Sequence, residues 1–152
     1  MQLQELERAK DDSDPKALAC YGLLLRFVDG RPVSAVTCDF LAWSCERLAA
    51  QGITGLFLIW DNASWHKSQQ VRDWLGAHNR AVKQSGVGVR IVVCLLPSKS
   101  PWLNPIEPKW VHGKRAVSEP DRMLSAEELE ARVYAYYGCD PDAHLVMPKK
   151  VA

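Results

Sequence analysis

Gly55-Leu56-Phe57-Leu58-Ile59-Trp60 is an uncharged apolar run, and it closes on Asp61-Asn62-Ala63-Ser64-Trp65-His66. An apolar run without polar alternation suits a strand inside a parallel sheet, covered on both faces. A second run, Val89 to Leu96, is rich in β-branched residues and is stopped by Pro97. Between the two, Val71, Trp74, Leu75 and Val82 recur at helical spacing from about Ser68 to Lys83, and Ser85-Gly86-Val87-Gly88 ends the segment. Strand, helix, strand in that order predicts two parallel strands joined by a right-handed crossover.

Working outward, Ala17 to Val28 reads as a strand turning at Asp29-Gly30, with Val33 to Thr37 returning as its hairpin partner. Asp39 then caps a helix running to about Ala50, with Phe40, Leu41, Cys45 and Leu48 on one face. Residues 1–16 are a charged arm or short helix ending in Asp11-Asp12-Ser13-Asp14-Pro15. Downstream, Asn104-Pro105-Ile106-Glu107 opens a helix, with Asn104 at the N-cap, Pro105 at the first helical position and Glu107 placed as a capping-box glutamate. Ser125-Ala126-Glu127-Glu128 starts a last helix that runs to about Tyr137, before Gly138. The order predicts one α/β domain over residues 1–152, a sheet with helices on its faces.

At 152 residues with 47% hydrophobic side chains, the chain can bury a real core. No apolar run approaches the ~18 to 20 residues that span a bilayer, and Met1-Gln2-Leu3-Gln4-Glu5 is too polar to open a secretion signal. A cytoplasmic protein without membrane partners is expected. The five cysteines are odd in number and form no C-x-x-C pair, which suits reduced thiols rather than disulfides or zinc. The net charge of +1 hides an asymmetry: residues 61–115 carry +6 between flanks of −2 and −3. A basic middle segment is what an enzyme handling a polyanion needs, although a merely solvated basic surface has the same composition.

Asp61 directly follows its strand, which places it where loops converge at the carboxyl ends of parallel strands. Taken alone it is a loop aspartate starting an Asx-turn or capping the next helix. Glu107, 46 positions later, taken alone is a glutamate bonded back to the Asn104 N–H. As a pair, one acid at a strand mouth and one opening a helix, they are the kind that holds catalytic metal ions.

The stretch Asp61-Asn62-Ala63-x-x-His66-x-Ser68, followed by Leu96-Pro97-x-x-Ser100-Pro101-x-Leu103-Asn104-Pro105-Ile106-Glu107-x-x-Trp110, resembles the DDE transposases of the mariner superfamily, in particular their bacterial insertion-sequence branch. The resemblance covers roughly residues 54–115. It implies a ribonuclease H-like mixed sheet flanked by helices, in which two aspartates and a glutamate bind two Mg²⁺ or Mn²⁺ ions to cut and transfer DNA strands. Asp61 would match the second aspartate and Glu107 the glutamate. Asn62 and His66 would shape the loop that carries Asp61, or serve the fold alone. Carboxylates suit such ions, and two ions about 4 Å apart activate the attacking oxygen and stabilise the leaving one. Lys109, Lys114 and Arg115, on the Glu107 helix, would contact phosphates without reading sequence. Trp102 and Trp110 are expected in the core, with base stacking the alternative. His78, His112 and His144 belong to no recognisable constellation.

The departures from that family carry expectations of their own. Its first catalytic aspartate sits on a first strand, whereas here the chain begins just before what reads as the second. Asp29 lies ~30 Å from the site along the hairpin, and Asp11, Asp12 and Asp14 sit in a polar arm, so no first aspartate is assigned. No early helix pair is available to read terminal repeats. The expectation is therefore the later part of a catalytic domain, lacking its first strand and with exposed sheet edges. Its partners would be DNA, at transposon ends and target, and full-length transposase or a missing N-terminal segment, in the nucleoid. The isolated chain is expected to be inert or nearly so. The alternative is a non-catalytic fragment that binds DNA non-specifically or binds and inhibits transposase.

Overall fold

The computed structural model describes residues 23–31, 33–98, 100–104, 106–118 and 122–147. The arm at 1–16 and the start of the expected first strand lie outside them. Along the described chain run β1 (Val28–Asp29), α1 (Ser34–Ala50), β2 (Gly55–Trp60), α2 (Gln69–Ser85), β3 (Arg90–Leu95), a 3-10 turn (Pro101–Leu103), α3 (Ile106–Val117), α4 (Ala126–Tyr137) and β4 (Leu145–Val146).

The centre is the predicted strand, helix, strand unit. β2 and β3 pair in parallel, with Leu56 opposite Ile91, Leu58 opposite Val93 and Trp60 opposite Leu95. The crossover helix α2 is capped locally. The Ser68 hydroxyl accepts from the Val71 N–H at 3.2 Å, and Gly86, at φ 69°, takes the left-handed conformation that ends the helix. Two α2 side chains fasten it to β3. Asn79 donates to the Ile91 carbonyl at 2.8 Å and accepts from the Ile91 N–H at 2.9 Å, so one amide satisfies both backbone groups of an edge residue. His78, stacked on Trp74 at 4.9 Å, bonds the Val89 carbonyl at 2.8 Å.

Helices α1 and α2 cover one sheet face. Cys38, Leu41, Trp60 and Val71 form one buried cluster, and Cys45, Val89 and Ile91 a second, with Leu58, Trp74 and Leu75 packed against both. The other face is the first correction. Phe57, Ile59 and Val92 are 53%, 43% and 48% exposed, so among the described residues the sheet is covered on one side, not two. The continuous apolar pattern reports strand residues able to be buried, not the layer that buries them. Burial pushes the Cys38 and Cys45 thiols up, as suits inert core cysteines.

The hairpin is the second correction. Val33 to Thr37 does not return as a strand: α1 begins at Ser34, with Val33 extended at φ −130° as its N-cap. Asp39, the expected cap, lies inside the helix. The Thr37 hydroxyl folds back on the Val33 carbonyl at 3.2 Å, and Val36 is buried at 4% exposure. Packing overrides the strand preference of the β-branched pair here. β1 instead pairs in parallel with β4, Val28 opposite Leu145 and Asp29 opposite Val146. The described strands thus form two separate two-stranded parallel sheets rather than one mixed sheet.

α4 has the predicted capping box, Ser125 with Glu128, and ends at Gly138 with φ 65°. Beyond it the chain is held by ionic contacts. Asp142 accepts from the Trp43 indole at 2.9 Å and from Arg47 at 2.6 Å. His144 sits between Asp29 at 2.6 Å and Glu130 at 2.9 Å, linking β1, α4 and the start of β4. The hydrogen bonds to Asp29 and then to Glu130 raise its pKa. A raised folded-state pKa means that the clamp contributes fully below the ordinary histidine value of about 6.5 and is lost as pH rises through the raised value. Melting temperature is therefore expected to fall as pH rises past the ordinary histidine value, and His144→Gln to flatten that dependence. An unchanged profile in the variant would remove His144 as its cause. Asp142 behaves oppositely: Arg47, then Trp43 and the Ala143 N–H, lower its pKa to about 2, so its contribution persists until strongly acidic conditions.

Candidate active site

The site begins where β2 ends. The Leu96 N–H bonds the Trp60 carbonyl at 2.9 Å, carrying the ladder to the last residue before Asp61. There the chain turns. Asp61 Oδ1 accepts from the Ala63 N–H at 2.9 Å and meets His66 Nδ1 at 2.9 Å. The Asx-turn expected of a loop aspartate is thus real, and it uses one carboxylate oxygen. The His66 ring lies flat on the buried Trp60 indole, with centroids 4.5 Å apart and planes 8° from parallel. That stack fixes the imidazole, and the imidazole fixes the carboxylate. Asn62 Nδ2 donates to the Leu96 carbonyl, tying the loop after β2 to the one after β3.

From Leu96 the second loop passes through Pro97, Ser100 and the 3-10 turn to Asn104. The Asn104 carbonyl accepts from the Glu107 N–H at 3.2 Å, and its Oδ1 lies 3.4 Å from the Ile106 N–H. The capping-box partner of these contacts, Asn104 N–H to the Glu107 carboxylate, is absent among the described residues. Glu107 instead lines a pocket of about 300 Å³ with Asp61, Asn62, Ala63, Leu96, Pro97, Ser100 and Asn104. The acids from the strand mouth and from the helix start therefore reach one cavity.

Carboxylate oxygens with hydroxyl and amide neighbours suit a hard divalent cation that retains several waters; no thiol lines the pocket. Two acids are fewer than a full cage: among the described residues no group of three His, Cys, Asp or Glu side chains could hold an ion.

Lys109, Lys114 and Arg115 all lie exposed on α3, but not together. At about 100° per residue, Lys114 falls two turns along on roughly the Glu107 side and Arg115 near it, while Lys109 is roughly 200° around. The Lys109 carbonyl accepts from the Tyr137 hydroxyl at 2.8 Å, which turns that part of α3 toward α4. The expected core placement of Trp102 is also corrected. It is 76% exposed, and Trp110, 37% exposed and packed edge-on against Tyr137, also lies outside the buried core. A three-residue turn offers Trp102 no face to bury. Ser100 and Asn104 were not singled out for the pocket beforehand; their place between the two acids was the available signal.

A family model described as DDE superfamily endonuclease matches residues 22–130. Comparisons with curated proteins and with solved structures found no match.

Proposed function

The chain belongs to the DDE superfamily endonucleases, and from that premise we propose that it serves DNA transposition, by metal-dependent cleavage and transfer of DNA strands, as a relative of the bacterial mariner-type enzymes. Membership implies a nucleic-acid substrate. The observation that carries the finer proposal is the single pocket lined by both Asp61 and Glu107.

Asp61 and Glu107 would hold Mg²⁺ or Mn²⁺. Two such ions, when bound, make the attacking oxygen nucleophilic and stabilise charge on the leaving oxygen. The remaining roles fall to side chains. His66 and the Ala63 N–H hold one Asp61 oxygen and leave the other for a cation. Asn62 keeps the two loops in register, so that the separation of the acids is set by the backbone. A further carboxylate, from another segment or a partner chain such as full-length transposase, would complete a two-ion site. The count of two acids also favours a second reading, a DNA-binding or transposase-binding form without cleavage.

Fe²⁺ with ascorbate and peroxide cuts a polypeptide where the ion sits. Cuts are expected near residues 61–63 and 104–107, suppressed by excess Mg²⁺. Scattered cuts, or cuts elsewhere, would remove the pocket as a metal site.

Transposon ends and target are the proposed DNA partners, met first through phosphates. Charge reversal at Lys114 or Arg115 is expected to weaken binding alike for all sequences and to lower the salt slope by about one per contact. Lys109→Glu should do less, given its place on the far side of α3. Tight binding to one sequence that survives all three changes would contradict this assignment.

A further inference from the structure

Two indoles stand on the loops that carry the acids. Trp102 lies in the 3-10 turn, with Ser100 and Asn104 on either side of it lining the pocket. Trp65 lies four residues past Asp61 on the other loop. Their exposures are 76% and 36%, and Leu103, beside Trp102, is 49% exposed. A scattered exposed apolar residue is ordinary. A tryptophan held in solvent between two pocket-lining residues, with a second on the loop after β2, puts two indoles on the two loops that form the cavity.

The two rings differ in how they are held. Trp65 is braced edge-on against His66, with centroids 5.8 Å apart and planes at 77°, and its carbonyl accepts from the Ser34 hydroxyl at 3.5 Å. Trp102 has no ring contact or hydrogen bond among the described residues. The cation–π contacts of Arg26 and Arg47 fall on Trp43, so neither of these indoles has a face taken by those cations. The segment from 61 to 115 carries +6, which draws in a polyanion; phosphate attraction alone does not distinguish duplex from single strand. A free indole face does, because bases inside a duplex are already stacked on their neighbours, and only an unpaired base offers its own face.

We propose that Trp102 stacks on an unpaired base beside the phosphodiester bound at the Asp61–Glu107 pocket, with Trp65 as a second, pre-oriented platform, so that the site takes frayed or single-stranded DNA in preference to intact duplex. This rests on the pocket being the phosphodiester site proposed above.

The test uses the full chain and three labelled DNAs of one sequence: a single strand, a blunt duplex and a duplex with unpaired ends. Fluorescence anisotropy is measured in Mg²⁺. Trp102→Ala is expected to weaken single-strand and unpaired-end binding roughly 10- to 100-fold and leave the blunt duplex unchanged. Trp102→Phe should keep most of the affinity. Trp102 is largely in solvent, so its removal leaves the core intact. Equal loss on all three DNAs, or none, overturns the proposal. So does a wild-type dimer that Trp102→Ala turns into a monomer with unaltered DNA binding, since the indole would then be a self-association contact. If the DNAs bind through Lys114 and Arg115 but ignore Trp102, this inference fails and the proposed function stands; if none binds, both fail.

Discussion

Asp61→Asn and Glu107→Gln are each expected to lower Mn²⁺-dependent DNA cleavage by at least about 10³-fold, once a third carboxylate is brought to the pocket in cis or by complementation. Each substitution keeps the shape of the side chain and removes its charge. The lost stabilisation at the reacting phosphate is several kcal/mol, at about 1.4 kcal/mol per factor of ten. The pocket geometry adds a distinction between them. Asp61 is tied by one oxygen to Ala63 and His66, and its amide replacement can keep the Ala63 contact, so the fold should survive. Glu107 has no such tie among the described residues, and its replacement should be silent in the melting curve. Supercoiled-plasmid nicking, with thermal melting as the control, reads both. Cleavage that persists in either variant would place the metal site elsewhere.

Gly113→Ala is expected to destabilise the protein, although alanine is ordinarily better than glycine inside a helix by about 1 kcal/mol. The sign is reversed by one contact. A Cβ at Gly113 would overlap the Tyr137 hydroxyl oxygen and lie 2.7 Å from Cζ. The ring cannot retreat freely: its hydroxyl donates to the Lys109 carbonyl at 2.8 Å, and it packs edge-on against Trp110 and Tyr136. Overpacking of this kind costs about 1 to 3 kcal/mol, or a fall in melting temperature of roughly 2 to 10 °C for a chain of this size. In a Tyr137→Ala background the same change should become neutral or stabilising. A rise in melting temperature for Gly113→Ala alone would mean that α3 and α4 do not approach this closely.

The parts of the fold legible in the chain are those whose signals sit within a few residues. β2 and β3 showed as apolar runs, α2 as a period between them, and its ends as Ser68 and Gly86. The capping box at Ser125 and the stop at Gly138 read equally well, because caps and turns are satisfied by neighbours in sequence. The placement of Asp61 and Glu107 was legible for the same reason: one ends a strand and the other opens a helix.

What the chain could not show is whatever depends on partners far along it. Val33 to Thr37 carries strand-like residues but folds as the start of α1. Val28–Asp29 finds its partner at Leu145–Val146, two residues too few to leave a pattern. His78 and His144 looked idle until the structure supplied Val89, Asp29 and Glu130 as their partners. Trp102 could be core or surface until the turn beneath it left the indole in solvent. Sequence alone determined β2, β3, α2 and α4, the caps of α2 and α4, and where the two acids stand in their elements, since each follows from steric and hydrogen-bonding preferences within a short window. Only the tertiary structure decided which face of the sheet is covered, which strands meet, and that both acids enter one pocket, since those contacts gain their energy from groups that no local window contains.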